Sequence, residues 1–314
     1  LNVIIQCLWH VGKFRRGVER VPLRQLDSQP VVASLARLFH ALSDAERAAR
    51  SGSSSEDDRE AVDPSELRRA LDALPGHHFA LNEMADPSEV LTALFECLVA
   101  SPQLRHAAGG MALVDEVFGL VLSESLVCGA CGKTSHVVGR HTEYYHIVAA
   151  TALRMGSLVV NGSTATVLQH LESQALKKCD VDVGGCDVPG APTRVLHTAP
   201  HVFTLHMVWE QAPSGDEIRE TLELVDTELE LEQLYESKQR GRYSLHAMFC
   251  YYGQHYHAFI RKDGLAWLMF DDAHVAEAGS WQAVIAKCSK GRIQPLVLFY
   301  QREDDARSKA AGGV

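Results

Sequence analysis

The period of the apolar positions changes near residue 112. Ahead of that point they recur every three to four residues. Leu1, Ile4, Ile5, Leu8 and Trp9 share one helix face, as do Val32, Leu35, Leu38, Phe39 and Leu42, so residues 1–49 read as helical. The stretch SGSSSEDDREAVD at 50–62 is polar and serine-rich; it offers nothing to a core and is expected to be a disordered insertion. Helix resumes at Asp63-Pro64, where Asp can cap and Pro can occupy the first turn. A second such start, Asp86-Pro87-Ser88-Glu89, precedes an apolar run at 90–99.

Beyond 112 the segments VFGLVLSESLVC, HTEYYHIVAATAL, HVFTLHMVW, YSLHAMFCYYG, YHAFIRK, AWLMFDD and QPLVLFYQ are short, β-branched and aromatic, with Gly, Asp or Ser between them. These are strand signals. Only 163–178 and 281–289 return to helical spacing. A helical front half followed by a strand-rich back half predicts an α+β fold, not a βαβ alternation. One domain is expected over 1–303, with a frayed tail at 304–314 ending AAGGV.

Composition narrows the class. With 314 residues, 46% of them hydrophobic, the chain can bury one large core or two smaller ones. No run of eighteen apolar residues occurs, so no membrane-spanning helix is expected. A formal charge of -10 argues against nucleic acid as a partner, because phosphate binding needs a basic stripe. The opening LNVIIQCLWH lacks the basic leader and small-residue cleavage site of a signal peptide and reads as a domain entered mid-helix, so residues upstream are expected. Eight cysteines are too sparse for a secreted disulfide scaffold. Reduced thiols in the cytosol or nucleus are expected, where clustered cysteines point to metal or catalysis.

The strongest metal signal is Cys128-Gly129-Ala130-Cys131-Gly132-Lys133, a knuckle that turns two sulfurs toward one tetrahedral ion. Cys179 and Cys186, with six residues between them and Gly184 and Gly185 before the second thiol, offer a looser pair. Together they suggest a closed structural zinc site; ordinary loop thiols are the plainer alternative for the second pair. Cys7, Cys97, Cys250 and Cys288 sit in apolar periodic segments and read as small buried hydrophobes. In Tyr251-Tyr252-Gly253-Gln254-His255-Tyr256-His257-Ala258-Phe259, a strand would put His255 and His257 on one face. A turn at Lys262-Asp263-Gly264 would make a hairpin that brings Asp271 back toward the start of the His255 strand. A general base needs such a carboxylate to fix its tautomer.

Taken together these residues resemble the ubiquitin-specific protease family over most of the chain, from Leu1 to about residue 300, and especially the branch with the plant proteins called ubiquitin carboxyl-terminal hydrolase-related. The family's first box is a nucleophilic Cys, an aromatic, Leu or Met, then Asn; Leu1-Asn2-Val3-Ile4-Ile5-Gln6 continues it, so the resemblance puts the nucleophile two positions before Leu1. The second box resembles 84–90, with Met84 where the family has Gln, and implies contact of Asp86 and Glu89 with the ubiquitin tail; helix capping is the competing role for Asp86. The closing box is matched by His255-Tyr256-His257-Ala258-Phe259 with Gln254 inserted, which implies His255 as the base and Asp271 as its partner. Pro200-His201-Val202-Phe203-Thr204-Leu205-His206 resembles the family's central strand, and Leu229-Glu230-Leu231 its Leu-Asp-Leu.

The resemblance implies a papain-like fold with a helical thumb, a β palm and fingers carrying one zinc on Cys128, Cys131, Cys179 and Cys186. It implies hydrolysis of the bond after the ubiquitin C-terminus, with ubiquitin and ubiquitinated proteins as partners and neither nucleic acid nor membrane. The residues from Leu1 onward, lacking the nucleophile, are expected to be inactive alone. The rival reading is a catalytically inactive relative that binds ubiquitin or scaffolds a complex. The acidic stretch at 220–236 could meet a basic face of ubiquitin or simply be solvated.

Overall fold

A computed structural model describes residues 1–26, 28–51, 61–76, 79, 86–105, 110–262, 266–272 and 274–303. Most of the segment expected to be a disordered insertion, together with Met84, Asp263, Gly264 and the tail after Glu303, lies outside those residues.

The front half is helical, as its periodicity predicts. α1 (Asn2–His10) buries Val3, Ile4, Ile5, Cys7, Leu8 and Trp9, so it is an interior helix rather than an amphipathic one. It is followed by α2 (Gly12–Glu19), α3 (Pro30–Arg50), α4 (Ser65–Asp72), α5 (Pro87–Ala100) and α6 (Leu113–Phe118). Proline opens α3 and α5, where a missing N–H costs nothing.

β1 (Leu120–Val127) and β2 (Thr134–Glu143) form a hairpin that leaves the main body. The chain returns through β3 (His146–Ala149), α7 (Ala150–Val159) and α8 (Thr164–Ser173). The short pair β4 (Lys177–Lys178) and β5 (Pro189–Gly190) then leads into β6 (Thr193–Thr198), β7 (Val202–Val208), α9 (Gly215–Glu223), β8 (Glu228–Glu230) and β9 (Glu236–Ser237). A final run of β10 (Arg242–Tyr252), β11 (His255–Lys262), β12 (Ala266–Asp271) and β13 (His274–Gly279) is followed by α10 (Trp281–Gly291) and β14 (Gln294–Arg302).

Two findings correct the sequence reading. The strand expected through HTEYYHIVAATAL stops at Ala149 and becomes α7, and α9 is a helix where none was expected. The segment resembling a central strand is β7, second from one edge of its sheet.

The main sheet has eight strands, running β13-β12-β11-β10-β14-β7-β3 with β8 beside β10. Among the described residues all its pairings are antiparallel except β3 with β7. A separate four-stranded sheet runs β2-β1-β6-β9. The main sheet divides two cores. One packs α1–α6 against Ala247, Phe249, Ala258, Ile260 and Phe299; the other packs Ile218, Ile285 and their helices against Leu245, Met248, Phe259 and Trp267. In β10 the register shifts between Leu245 and Ala247. That shift reverses the parity of the strand, so Tyr243 and Leu245 face one core while Ala247 and Phe249 face the other.

Candidate active site and metal cluster

His255 is the first residue of β11, and its position is set by a tight hairpin. Tyr252 pairs with His255, and the two residues between them, Gly253 and Gln254, have φ of 47° and 72°. Two left-handed positions in a two-residue loop match the right-handed twist of the strands. Glycine takes such a φ freely; Gln254 takes it at a steric cost. On the next hairpin, β11 and β12 pair Ala258 with Phe270 and Lys262 with Ala266. One step further along this register sets Asp271, the last residue of β12, opposite His257, with His255 two residues away on the same face.

The three side chains converge. His255 Nε2 stands 2.6 Å from Asp271 Oδ1, and His257 Nδ1 stands 3.5 Å from the same oxygen. A carboxylate can only accept, so Nε2 of His255 carries the proton and Nδ1 of the neutral ring is the acceptor. The hydrogen bond from His255 holds the Asp271 carboxyl below its usual pKa. Burial pushes His257 down from 6.5.

The beginning of α1 faces this pair. α1 packs against β10 and β11, and Asn2 donates from Nδ2 to Asp272 Oδ1 at 3.1 Å. Leu1, Asn2, Arg68, His255, Tyr256 and Asp272 are among the residues lining a cavity of about 350 Å³. No cysteine lines it among the described residues. Cys7, the one thiol in α1, is fully buried, and burial raises its pKa far above the ordinary thiol value. Cys250 and Cys288 are also buried, and Cys97 is half-buried, in line with their reading as hydrophobes.

Asp86 caps α5: its side chain accepts from the Ser88 N–H at 2.8 Å. It is exposed, as is Glu89 one turn on. Beside them Ser88 Oγ lies 3.2 Å from His206 Nε2.

The four cysteines meet at the end of the outlying hairpin. Cys128 Sγ is 3.6 Å from Cys186 Sγ, Cys131 Sγ is 3.7 Å from Cys179 Sγ, and all four sulfurs lie within 4.8 Å of one another with no disulfide. Four sulfurs at about 2.3 Å from a tetrahedral ion stand about 3.8 Å apart, so this set can hold a metal ion. The loops are shaped for it. Gly132 N–H bonds back to Cys128 O, and Cys128 N–H to Lys133 O. Backbone N–H groups of Cys131 and Ala130 lower the Cys128 thiol to about 6, which favours the thiolate form a metal requires, while contact with the neighbouring thiols raises Cys179 and Cys186. At Gly185 a Cβ would come within 2.5 Å of both Asp180 O and Cys179 Sγ, so glycine alone permits the close return of the second pair.

Two features could not be placed from the sequence. The Asn2–Asp272 bond joins residues 270 positions apart. The convergence of His257 on Asp271 depends on hairpin register, which was legible only as a shared strand face.

The class is α+β: a helical layer and a sheet meet at a His–Asp pair, with the start of a buried helix across the cleft. The ubiquitin carboxyl-terminal hydrolase family model matches residues 1–300, and the chain belongs to that family, in its ubiquitin-specific protease branch. It is 29% identical over 333 residues to mouse ubiquitin carboxyl-terminal hydrolase 54, covering 96% of this chain and 19% of that protein. Human ubiquitin carboxyl-terminal hydrolase 53 is 28% identical over 97% of this chain and 29% of its own, and Arabidopsis thaliana ubiquitin carboxyl-terminal hydrolase 26 is 26% identical over 88% and 25%. The chain thus spans about a fifth of the length of the mouse relative. Among solved structures it is similar to the SAGA DUB module of Ubp8, Sgf11, Sus1 and Sgf73 bound to monoubiquitin, with a TM-score of 0.65, 16% identity and coverage of 97% of this chain and 66% of that one. The fold is accordingly α+β of the ubiquitin-specific protease type: α1–α6 form the thumb, the main sheet the palm, and the four-stranded sheet with the cysteine loops beside it the fingers.

Proposed function

We propose that this chain supplies the general base and its orienting acid for thiol-dependent hydrolysis of the bond after the ubiquitin C-terminus. The observation that carries the reading is the 2.6 Å His255–Asp271 pair in one cavity with the start of α1. A cysteine preceding Leu1 enters that cavity, at a helix start whose unpaired N–H groups favour a thiolate. His255 Nδ1 takes the thiol proton, and the sulfur attacks the carbonyl at the ubiquitin C-terminus. His255 then gives the proton to the departing lysine amine, leaving a thioester. Water, deprotonated by His255, cleaves the thioester and frees the ubiquitin carboxylate. Asp271 accepts from Nε2 throughout and stabilises the imidazolium while it is charged.

Asp86 and Glu89 are exposed carboxylates at the start of α5, suited to a basic peptide, and in this reading they meet the ubiquitin tail. Zinc is the ion for Cys128, Cys131, Cys179 and Cys186, where it supplies structure to the fingers and no chemistry. Ubiquitin and ubiquitinated proteins are the partners.

The test is turnover of a ubiquitin-linked fluorophore. Residues 1–314 alone are expected to be inactive, whereas a longer chain carrying the preceding residues is expected to hydrolyse it. His255→Ala in the longer chain should cost about 10²- to 10⁴-fold in kcat/KM. Turnover by residues 1–314, or full activity of His255→Ala, would sink the assignment. Ubiquitin binding without turnover in the longer chain would favour the inactive, ubiquitin-binding relative.

A further inference from the structure

We infer that His255, His257 and Asp271 form a second metal site, separate from the cysteine cluster, which takes one divalent ion of the zinc and cobalt class and shuts off the base. Three observations carry it. The donor atoms already converge: His255 Nε2 and His257 Nδ1 lie 2.6 and 3.5 Å from Asp271 Oδ1, and all three are within 4.8 Å of one another. Donors held at about 2.0–2.1 Å from a common ion stand about 3.0–3.5 Å apart, so a small spreading of His255 and Asp271 and an approach of the two rings suffice. The rings are already edge to face, with centroids 4.9 Å apart.

Second, His257 is 95% buried and its Nδ1 has no hydrogen-bond partner. A buried imidazole nitrogen without a partner is uncommon and costly. Here it aims at the carboxylate oxygen from 3.5 Å, too far for a hydrogen bond and suited to an ion seated between them. Third, the site is half closed. Its backbone is held by a strand pairing that ends one residue away, at Ala258 with Phe270, whereas His255 opens on the 350 Å³ cavity, which leaves room for water to complete the coordination.

The donor set selects the ion. Two imidazoles and one carboxylate suit zinc, cobalt, nickel or copper, and magnesium and calcium, which require oxygen, are excluded. The chemical consequence follows from proton balance. A neutral imidazole has one N–H; when Nε2 gives its lone pair to the ion, the proton moves to Nδ1. The nitrogen that would take the thiol proton then carries one already, and Asp271 no longer orients the ring. Inhibition therefore rests on the proposed role of His255 as base, whereas the binding does not.

The experiment uses residues 1–314 with the cysteine cluster first loaded with zinc. Cobalt(II) is added, bound ion is counted by equilibrium dialysis, and the visible spectrum is recorded. One further equivalent is expected, with nitrogen- and oxygen-type bands and no thiolate-to-cobalt charge transfer. His257→Gln should weaken its binding about tenfold or more, and Asp271→Asn should weaken it too, with the zinc of the cysteine cluster retained in both. Absence of a second equivalent, or undiminished binding by His257→Gln, would overturn the proposal. If that variant fails to fold, the wild-type protein decides: cobalt must shift the ring-proton resonances of His257, and unshifted resonances refute the site. The two readings fail separately. A second ion bound in a protein that never hydrolyses ubiquitin conjugates retires the protease reading alone; hydrolysis in a protein that binds no second ion retires the metal site alone.

Discussion

At the scale of single residues, burial decides how histidines respond to pH. His146, at the start of β3, is 4% exposed and lies 2.8 Å from the Tyr235 hydroxyl through Nδ1. Burial lowers its pKa from 6.5 to about 4, with the Arg194 charge adding to the effect. The unfolded chain therefore binds a proton at His146 between those values and the folded chain does not. Stability from this residue is complete above about 6.5 and falls as the pH drops, levelling off below about 4, a loss of about 3 kcal/mol at most. Burial also lowers His10, His206, His246 and His257, which steepens the same slope. Urea midpoints measured across that window should decline toward acid, and His146→Gln should flatten the decline; an unchanged slope in the variant would contradict the account.

At the scale of elements, one residue can hold two roles that a single substitution confuses. Asp86 caps α5 through the Ser88 N–H, and it is also the proposed contact for the ubiquitin tail. Asp86→Ala should cost about 1 kcal/mol of stability as a lost cap. Asp86→Asn keeps an accepting oxygen and should restore that stability while removing the charge. Ubiquitin affinity separates the roles: if Asn restores binding together with stability, Asp86 is a cap and no more. The elements also explain which helices were legible. α5 has its Asp-Pro start and α10 its Ser280 cap, both visible in sequence. α7 follows β3 directly from Ala149, with no side-chain cap, so nothing in the residues marks where strand becomes helix. α9 does carry a signal, the Ser214–Glu217 capping box, and only its last turn overlaps the acidic stretch at 220–236.

At the scale of the whole molecule, the fingers join the second core only at their near end, through Leu120, Leu122 and Leu196, and their cysteine loops lie outside both cores. Their four strands belong to a separate sheet, and the cysteine loops at 128–131 and 179–186 carry little apolar packing of their own. Stripping metal from the cysteine cluster should therefore release about one ion per chain, lower the melting temperature and raise amide exchange at 128–133 and 179–190 before the palm strands respond. Uniform exchange across fingers and palm would argue against a local role.

What the residues alone determined is chemical and local: the alternation that separates helices from strands, the Cys-x-x-Cys knuckle, and the His255 and Asp271 boxes, each written within a few neighbouring positions. What the tertiary structure decided is relative position. The bulge that turns β10 over, the meeting of Cys128 with Cys186 across 58 residues, the Asn2–Asp272 bond and the aim of His257 at Asp271 all depend on strand register and packing. A shift of one residue in β11 would send both histidines to the opposite face while changing no local preference, and only the cores on the two sides of the sheet forbid it.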